Sequence, residues 1–563
     1  MSVVLSEHLP LLASAPDGIE KLRGLILELA VRGKLVPQDP NDEPASELLK
    51  RIAKERARLE AGGIFKKSKT APCVSKAAQP RGWMSAILPE LCEIGGGATP
   101  SKAKSDYWDG GLPWVSPKDM KVDQIFDARD HVTELALRET RLPRVPAGSL
   151  LVVVRGMILA HSFPVATTQV DVAINQDMKS LTLFLPELQP FLALALRGWK
   201  PQILALVDRS THGTCKLQSE KLFAFEFGIP PLTEQHRIVA KVEELMTLCD
   251  RLEAEQADAE AAHAKLVETL LGTLTQSTDA AELAANWQRL AEHFGTLFTT
   301  EASLDALKQT ILQLAVMGKL VPQDPNDEPA SELLKRIAKE KDRLCREEGL
   351  RTTAEPQVLA EDQYIQLPFG WSFERLGNLA KFIDYRGRTP EKIQEGVPLI
   401  TAKNVRFGFI SREPREFVSE REYSEWMTRG FPRIGDILFT TEAPLGNVAV
   451  VDIHEKFALA QRVICFQFHE PRISPFLRLG LMSELVRQQI GAEATGMTAT
   501  GIKAARLKEI PVPIPPLAEQ HRIVAKVDEL MALCDRLKAD LAESRARQAR
   551  LSATLIESAL QAA

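Results

Sequence analysis

Apolar residues recur along two stretches of this chain at the spacing of a heptad seam. From Glu234 they fall at Ile238, Val242, Leu245, Cys249 and Leu252, in steps of four, three, four and three, which line one edge of an α-helix. The same order returns at Ile523, Val527, Leu530, Cys534 and Leu537 and continues through Leu541, Leu551 and Leu555. A seam of this kind predicts a long helix that a partner helix must cover. Near the start, Leu22, Ile26 and Leu29 predict a shorter helix that breaks at Gly33. After the turn sequence Val36 to Pro44, Ser46 is placed to cap a second helix carrying Leu48, Leu49, Ile52 and Leu59. In the middle of the chain the helix from Glu234 to about Leu271 is followed by another over Ser303 to Leu314.

These elements belong to a duplication. The segment Leu22 to Leu59 returns nearly unchanged as Leu307 to Leu344, so that Gly33 recurs as Gly318, 285 positions on. The block that begins at Ile229 recurs from Ile514 at the same offset. The chain is therefore two tandem copies of one unit, a reading that precedes any search for motifs. Between the near-identical blocks lie Pro80 to Gly228 and Pro368 to Pro513, which share little beyond anchors such as Gly82-Trp83 and Gly370-Trp371. A frame copied faithfully around rewritten middles predicts two different specificities on one symmetric scaffold. Residues 518–563 followed by 1–35 mirror 233–320, which predicts a circular, pseudo-twofold arrangement. About 36 helical residues would span about 54 Å, enough to hold the two variable domains well apart.

The predicted fold class is α+β: two mixed α/β domains related by pseudo-twofold symmetry and separated by long antiparallel, coiled-coil-like helices. The organisation read from the repeat is an N-terminal helical repeat over 1–62, a linker over 63–79 and a first variable domain over 80–232. A central helical region over 233–345, a linker over 346–367, a second variable domain over 368–517 and a closing helix over 518–563 complete it.

Composition narrows the class without naming a function. The 563 residues are 45% hydrophobic and 26% charged, typical of folded globular proteins. The formal net charge of −5 argues against a protein that coats nucleic acid without regard to sequence. The seven cysteines (Cys73, Cys92, Cys215, Cys249, Cys345, Cys465, Cys534) form no C-x-x-C pair and read as buried thiols in a reducing cytoplasm. No basic leader precedes an apolar run and no window approaches eighteen apolar residues, so neither secretion nor membrane spanning is expected. The ten histidines show no metal-ligand spacing. There is no G-x-x-x-x-G-K-[ST] phosphate loop and no Asn-Pro-Pro-aromatic or Asp-Pro-Pro-aromatic tetrad of an adenine methyltransferase. Gly95-Gly96-Gly97 reads as turn flexibility, since nothing downstream makes it a phosphate cradle. A polar tetrad, Glu234, Gln235, His236 and Arg237, recurs as Glu519, Gln520, His521 and Arg522, and is read as exposed, for docking a partner or orienting the domains.

With these features assembled, the chain resembles over its whole length the specificity (S, or HsdS) subunits of type I restriction-modification systems, in the branch with an N-terminal copy of the helical repeat. The resemblance lies first in the junction Pro230-Pro231-Leu232-Thr233-Glu234-Gln235, repeated as Pro515-Pro516-Leu517-Ala518-Glu519-Gln520. In the first variable region it lies in Gly97-Ala98-Thr99-Pro100-Ser101, the run Trp114 to Met120, Gly148 to Leu151 and Ile174-Asn175-Gln176-Asp177. The second offers Gly387-Arg388-Thr389-Pro390, the run Ile400 to Val405, Gly435 to Leu438 and Leu459-Ala460-Gln461-Arg462, without the tryptophan at Leu399 or the asparagine at Ala460.

The resemblance implies a non-catalytic chain whose variable domains each read one half of a split target in double-stranded DNA, while the helices set the spacer. It implies two modification subunits that use S-adenosylmethionine and two restriction subunits that use ATP and Mg, with no cofactor or metal bound by this chain. A cytoplasmic host-defence complex follows. Reading bases requires donors and acceptors at loop positions. The candidates are Lys102, Lys118, Arg155, Gln176, Lys179 and Lys216 in the first domain, and Arg386, Arg388, Lys403, Asn404, Arg406, Asn447, Arg462 and Lys503 in the second. The loops collectively, rather than any one residue, carry that expectation. Trp83 and Trp371 read as core residues. The competing classes are a fused restriction or methyltransferase enzyme, which the absent motifs disfavour, and a coiled-coil adaptor whose variable domains bind protein.

Overall fold

A computed structural model describes residues 12, 13, 15–65, 79–209, 215–347, 355–385, 390–496 and 500–561. The framing helices are α1 (Gly18–Val31), α2 (Ala45–Ala61), α3 (Leu232–Gln276), α4 (Ala280–Glu292), α5 (Glu301–Val316), α6 (Ala330–Glu347) and α7 (Leu517–Gln561). The chain divides into two compact units, one of Met1–Asp258 with Arg545–Ala563, the other of Ala259–Ser544. The last part of α7 thus belongs with the beginning of the chain, as the circular reading requires. Among the described residues, no helix is long and apolar enough to cross a membrane.

In the first unit Leu22, Ile26 and Leu29 are buried on α1, and the seam residues Ile238, Val242 and Cys249 share the core of Leu22 and Ile26, with Leu245, Leu252 and Leu555 packed at its margin. Arg23 on α1 reaches Asp250 and Glu253 on α3 at 2.6 and 2.9 Å. The second unit repeats this: α5 supplies Leu307, Ile311 and Leu314 beside Ile523, Val527 and Cys534, and Lys308 reaches Asp535 at 2.5 Å. Leu551 departs from the seam, being 49% exposed. Helix α4, capped by Asp279 through the Glu282 N–H at 2.8 Å, was not expected from periodicity.

At two places the local structure differs from what the sequence predicts. Ser46 does not cap α2: the helix starts at Ala45 after extended Pro44, and no side-chain cap is present. Instead the Ala45 N–H donates to the Gly82 carbonyl at 2.9 Å, and Ala330 to Gly370 at 2.8 Å, so each helix start is satisfied by the variable domain beside it. Gly95 and Gly96 do not form a turn; they lie in the strand Cys92–Gly96, paired with Ser180 and Lys179. Of the described cysteines, Cys345 is half-buried and the other five are buried; Cys73 lies outside the described residues.

The two variable domains share one topology despite their different sequences. In the first, Cys92–Gly96, Met178–Leu183, Leu150–Val153 and Val165–Thr168 lie side by side in that order, with Gln124–Ile125 added at the edge. In the second the order is Ala380–Asp384, Val463–Phe468, Ile437–Thr440, Val448–Val450. Each has a smaller three-stranded sheet: Asp130–Val132, Trp108–Val115, Ala173–Ile174 in one and Phe417–Val418, Val397–Ile400, Ala458–Leu459 in the other. Each domain closes where its first strand pairs antiparallel with its last, Met84–Ile87 with Glu226–Ile229 and Ser372–Arg375 with Pro511–Ile514, and the last strand runs through two prolines into the long helix.

Candidate nucleic-acid interface

In the smaller sheet of the first domain, Trp108–Val115 and Ala173–Ile174 run parallel, with Val115 opposite Ile174. Parallel strands that end together send their loops out together. After Val115 the Ser116 N–H and hydroxyl both donate to Asp119, at 2.9 and 2.7 Å, closing a tight turn with Lys118 exposed at its tip. After Ile174 come Asn175 and exposed Gln176, to which the Thr99 hydroxyl donates. A Cβ on Gly97 would fall 2.2 Å from the Ile174 and Asn175 carbonyl oxygens, so this close approach requires glycine. The Val154 and Arg155 N–H groups donate to the Asp177 carbonyl at 2.8 and 3.2 Å, and Arg155 pairs with the Asp177 carboxylate at 3.5 Å. Arg155 faces exposed Lys216 across an isolated bridge. Lys118, Gln176, Arg155 and Lys216 therefore gather at one edge. Half-buried Lys179 lies on the adjoining strand, and Lys102 stands exposed three residues beyond Thr99.

The second domain builds the same edge. Leu399 and Ile400 pair in parallel with Ala458 and Leu459. Thr401 N–H and hydroxyl donate to the Asn404 side chain at 3.0 and 2.8 Å, and Lys403 is exposed at the tip. Asn404 itself is 2% exposed, and its amide donates to the Ser411 and Pro414 carbonyls at 3.2 and 3.0 Å. It is a turn-building residue, not the base-reading one the sequence suggested, because its donors and acceptor are used internally. Half-buried Asn447 likewise donates to the Val405 carbonyl at 2.9 Å. Arg406, Arg462 and Lys503 are exposed, and Arg462 pairs with Glu442 at 2.6 Å. Arg386 and Arg388 lie outside the described residues. Sequence reasoning missed Asp177 and Glu442 as partners of these arginines; Asp177 stood inside a quoted anchor, whereas Glu442 is visible only through strand pairing.

The polar tetrad is placed differently from expectation. Glu234 and Gln235 are 1% exposed, as are Glu519 and Gln520. Trp83 Nε1 donates to Glu234 at 3.1 Å and Trp371 Nε1 to Glu519 at 3.0 Å, while Gln235 and Gln520 donate to the Pro230 and Pro515 carbonyls, both at 2.9 Å. Arg237 grips Asp42 through two nitrogens at 3.2 and 2.6 Å, and Arg522 grips Asp327 at 3.4 and 2.7 Å. The tetrad thus clasps the variable domain and the turn before α2 or α6 to the start of the long helix; His236 and His521 remain exposed. Burial pushes the Glu234 and Glu519 carboxyls above the ordinary glutamate range, whereas the Arg237 guanidinium holds Asp42 below the ordinary aspartate range. Trp83 and Trp371 pack as core residues against Phe191 and Phe476.

Residues 80–261 and 368–544 match the family described as type I restriction modification DNA specificity domain. The chain is 36% identical to the type I restriction enzyme EcoAI specificity subunit of Escherichia coli, over 96% of this chain and 94% of that one. It is 35% identical, with the same coverage, to the EcoEI specificity subunit of Escherichia coli. The two family matches fall on the two domains that carry the repeated parallel-strand edge, and on this ground the chain belongs to the type I restriction-modification DNA specificity family.

Proposed function

We propose that this chain is the DNA-reading subunit of a type I restriction-modification complex and performs no catalysis itself. Each variable domain reads one half of a split duplex target, and the repeated helices set the unread spacer. The exposed parts of the helical frame dock two modification subunits, and two restriction subunits complete the assembly. S-adenosylmethionine, ATP and Mg belong to those partners. The observation that carries this reading is the edge built twice: one backbone arrangement presents exposed cations in both domains, while the side chains around it differ, as expected of one scaffold aimed at two sequences.

The test is a genome-wide map of adenine methylation in cells carrying this gene and its modification partner, compared with cells lacking this gene alone. Disappearance of one split motif, methylated on opposite strands in its two halves, is the expected result. An unchanged map with an active partner present overturns the reading and favours a protein-binding adaptor.

A further inference from the structure

The backbone at this edge aligns the two domains residue by residue. Val154 N–H donates to the Asp177 carbonyl as Thr441 N–H does to the Arg462 carbonyl, and Leu217 donates to Val154 as Ile502 does to Thr441. Arg155 bridges to Lys216 as Glu442 bridges to Gly501. Arg155 therefore occupies the place of Glu442, and Asp177 the place of Arg462. Both places hold an ion pair, Arg155 with Asp177 and Arg462 with Glu442, but acid and base are exchanged. Lys118 and Lys403 behave oppositely: the same cation stands at the tip of the same turn in both domains.

Phosphates are alike in every sequence, so a cation kept in one place by two domains with different targets suits the backbone of the duplex. A guanidinium whose orientation is held by a carboxylate still has donors free, in a rigid fork that matches guanine O6 and N7 in the major groove. Exchanging the pair moves that fork from one segment of the edge to the other while leaving the local charge balance unchanged. We infer that Arg155 and Arg462 are base-reading residues, positioned by Asp177 and Glu442, and that the direction of the ion pair is one determinant of which base each domain accepts; Lys118 and Lys403 hold phosphate. This deepens the DNA-reading function proposed above and rests on it.

The experiment selects duplexes randomised in both half-sites with the chain assembled on its modification subunits. The unaltered complex must yield a split motif; if it yields none, the reading function itself fails. Given a motif, the exchange R155E/D177R is expected to change or relax preference by roughly ten- to hundredfold at one or two positions of one half-site, leaving the other half intact as an internal control of folding. E442R/R462E is expected to do the same to the other half only. K118A and K403A are expected to weaken all sequences alike and to lower the slope of log affinity against log salt by about one. If R155E/D177R selects neither half, R155K decides, since it keeps charge and backbone but loses the fork. Unchanged base preference in the exchanged half, or in R155K where it decides, overturns the inference and leaves an ordinary surface ion pair.

Discussion

The indole of Trp83 donates to the buried carboxylate of Glu234, and this bond fastens the variable domain to the first turn of the long helix. Its counterpart differs in one respect: Glu519 accepts from Gln323 at 3.2 Å as well as from Trp371. Removing the indole donor should therefore cost more in the first unit than in the second. W83F is expected to destabilise the start of α3 by about 1–3 kcal/mol, the cost of leaving a buried acceptor unpaired, and W371F to destabilise the start of α7 by less. Native-state hydrogen exchange at the amides near residues 236–242 and 521–527 reads the two effects separately. Equal protection losses would show that the second donor carries nothing.

The clasp holds two carboxylates whose pH responses run in opposite directions. Glu234 has its folded-state pKa raised by burial, so its contribution is most favourable below the ordinary glutamate range and declines as pH rises through its raised value. The stability of E234Q relative to the parent should accordingly improve between pH 4 and pH 7. Asp42 has its folded-state pKa lowered by Arg237, so its contribution is present above the ordinary aspartate range and is lost as pH falls. The deficit of D42N should be largest near neutrality and shrink on acidification. Denaturant midpoints against the parent check both slopes, those of E234Q between pH 4 and pH 7 and those of D42N on acidification from neutrality to below the ordinary aspartate range.

Gly33 and Gly318 have φ of +68° and +67°, and a Cβ at either would fall 2.9 Å from the ring of Trp83 or Trp371. Conformation and space both exclude a side chain there, so G33A and G318A are each expected to destabilise by roughly 1–3 kcal/mol. Gly24, inside α1 with open space at its Cβ, is the control: G24A should stabilise by about 0.5–1 kcal/mol. Thermal melting of the three variants checks signs as well as sizes.

The helical frame was legible because a duplication prints its own symmetry: an offset of 285 and a seam stepping by four and three need no tertiary information. What escaped the sequence was tertiary satisfaction of polar groups. Glu234 and Gln235 read as exposed because hydropathy does not register that a tryptophan 151 positions earlier and a proline carbonyl would take up their hydrogen bonds. Ser46 read as a cap for the same reason, since the group that satisfies the start of α2 is the distant carbonyl of Gly82. Asn404 read as a base reader because its side chain suits adenine, and only the fold reveals that the amide is already spent on Ser411 and Pro414. At the reading edge, residue types were visible, but their convergence depends on the parallel register of Val115 with Ile174 and of Ile400 with Leu459, which periodicity over two-residue strands cannot supply.

The closing strand pair sets the terms for exchanging a domain. Met84 to Ile87 pairs in register with Glu226 to Ile229, so replacing residues 80–228 by the domain of a relative cuts the pair one residue short of its end, at Ile229, which both copies retain. The junction should hold if the incoming domain supplies a tryptophan at position 83 to meet Glu234 and a glycine at position 82 whose carbonyl receives the Ala45 N–H at the start of α2. Under those conditions methylation mapping should show one half of the split motif replaced and the other half unchanged. Change in both halves would mean that the second domain does not read independently of the first. An incoming domain with phenylalanine at position 83 should instead lower the yield of assembled complex without altering which bases the second half requires.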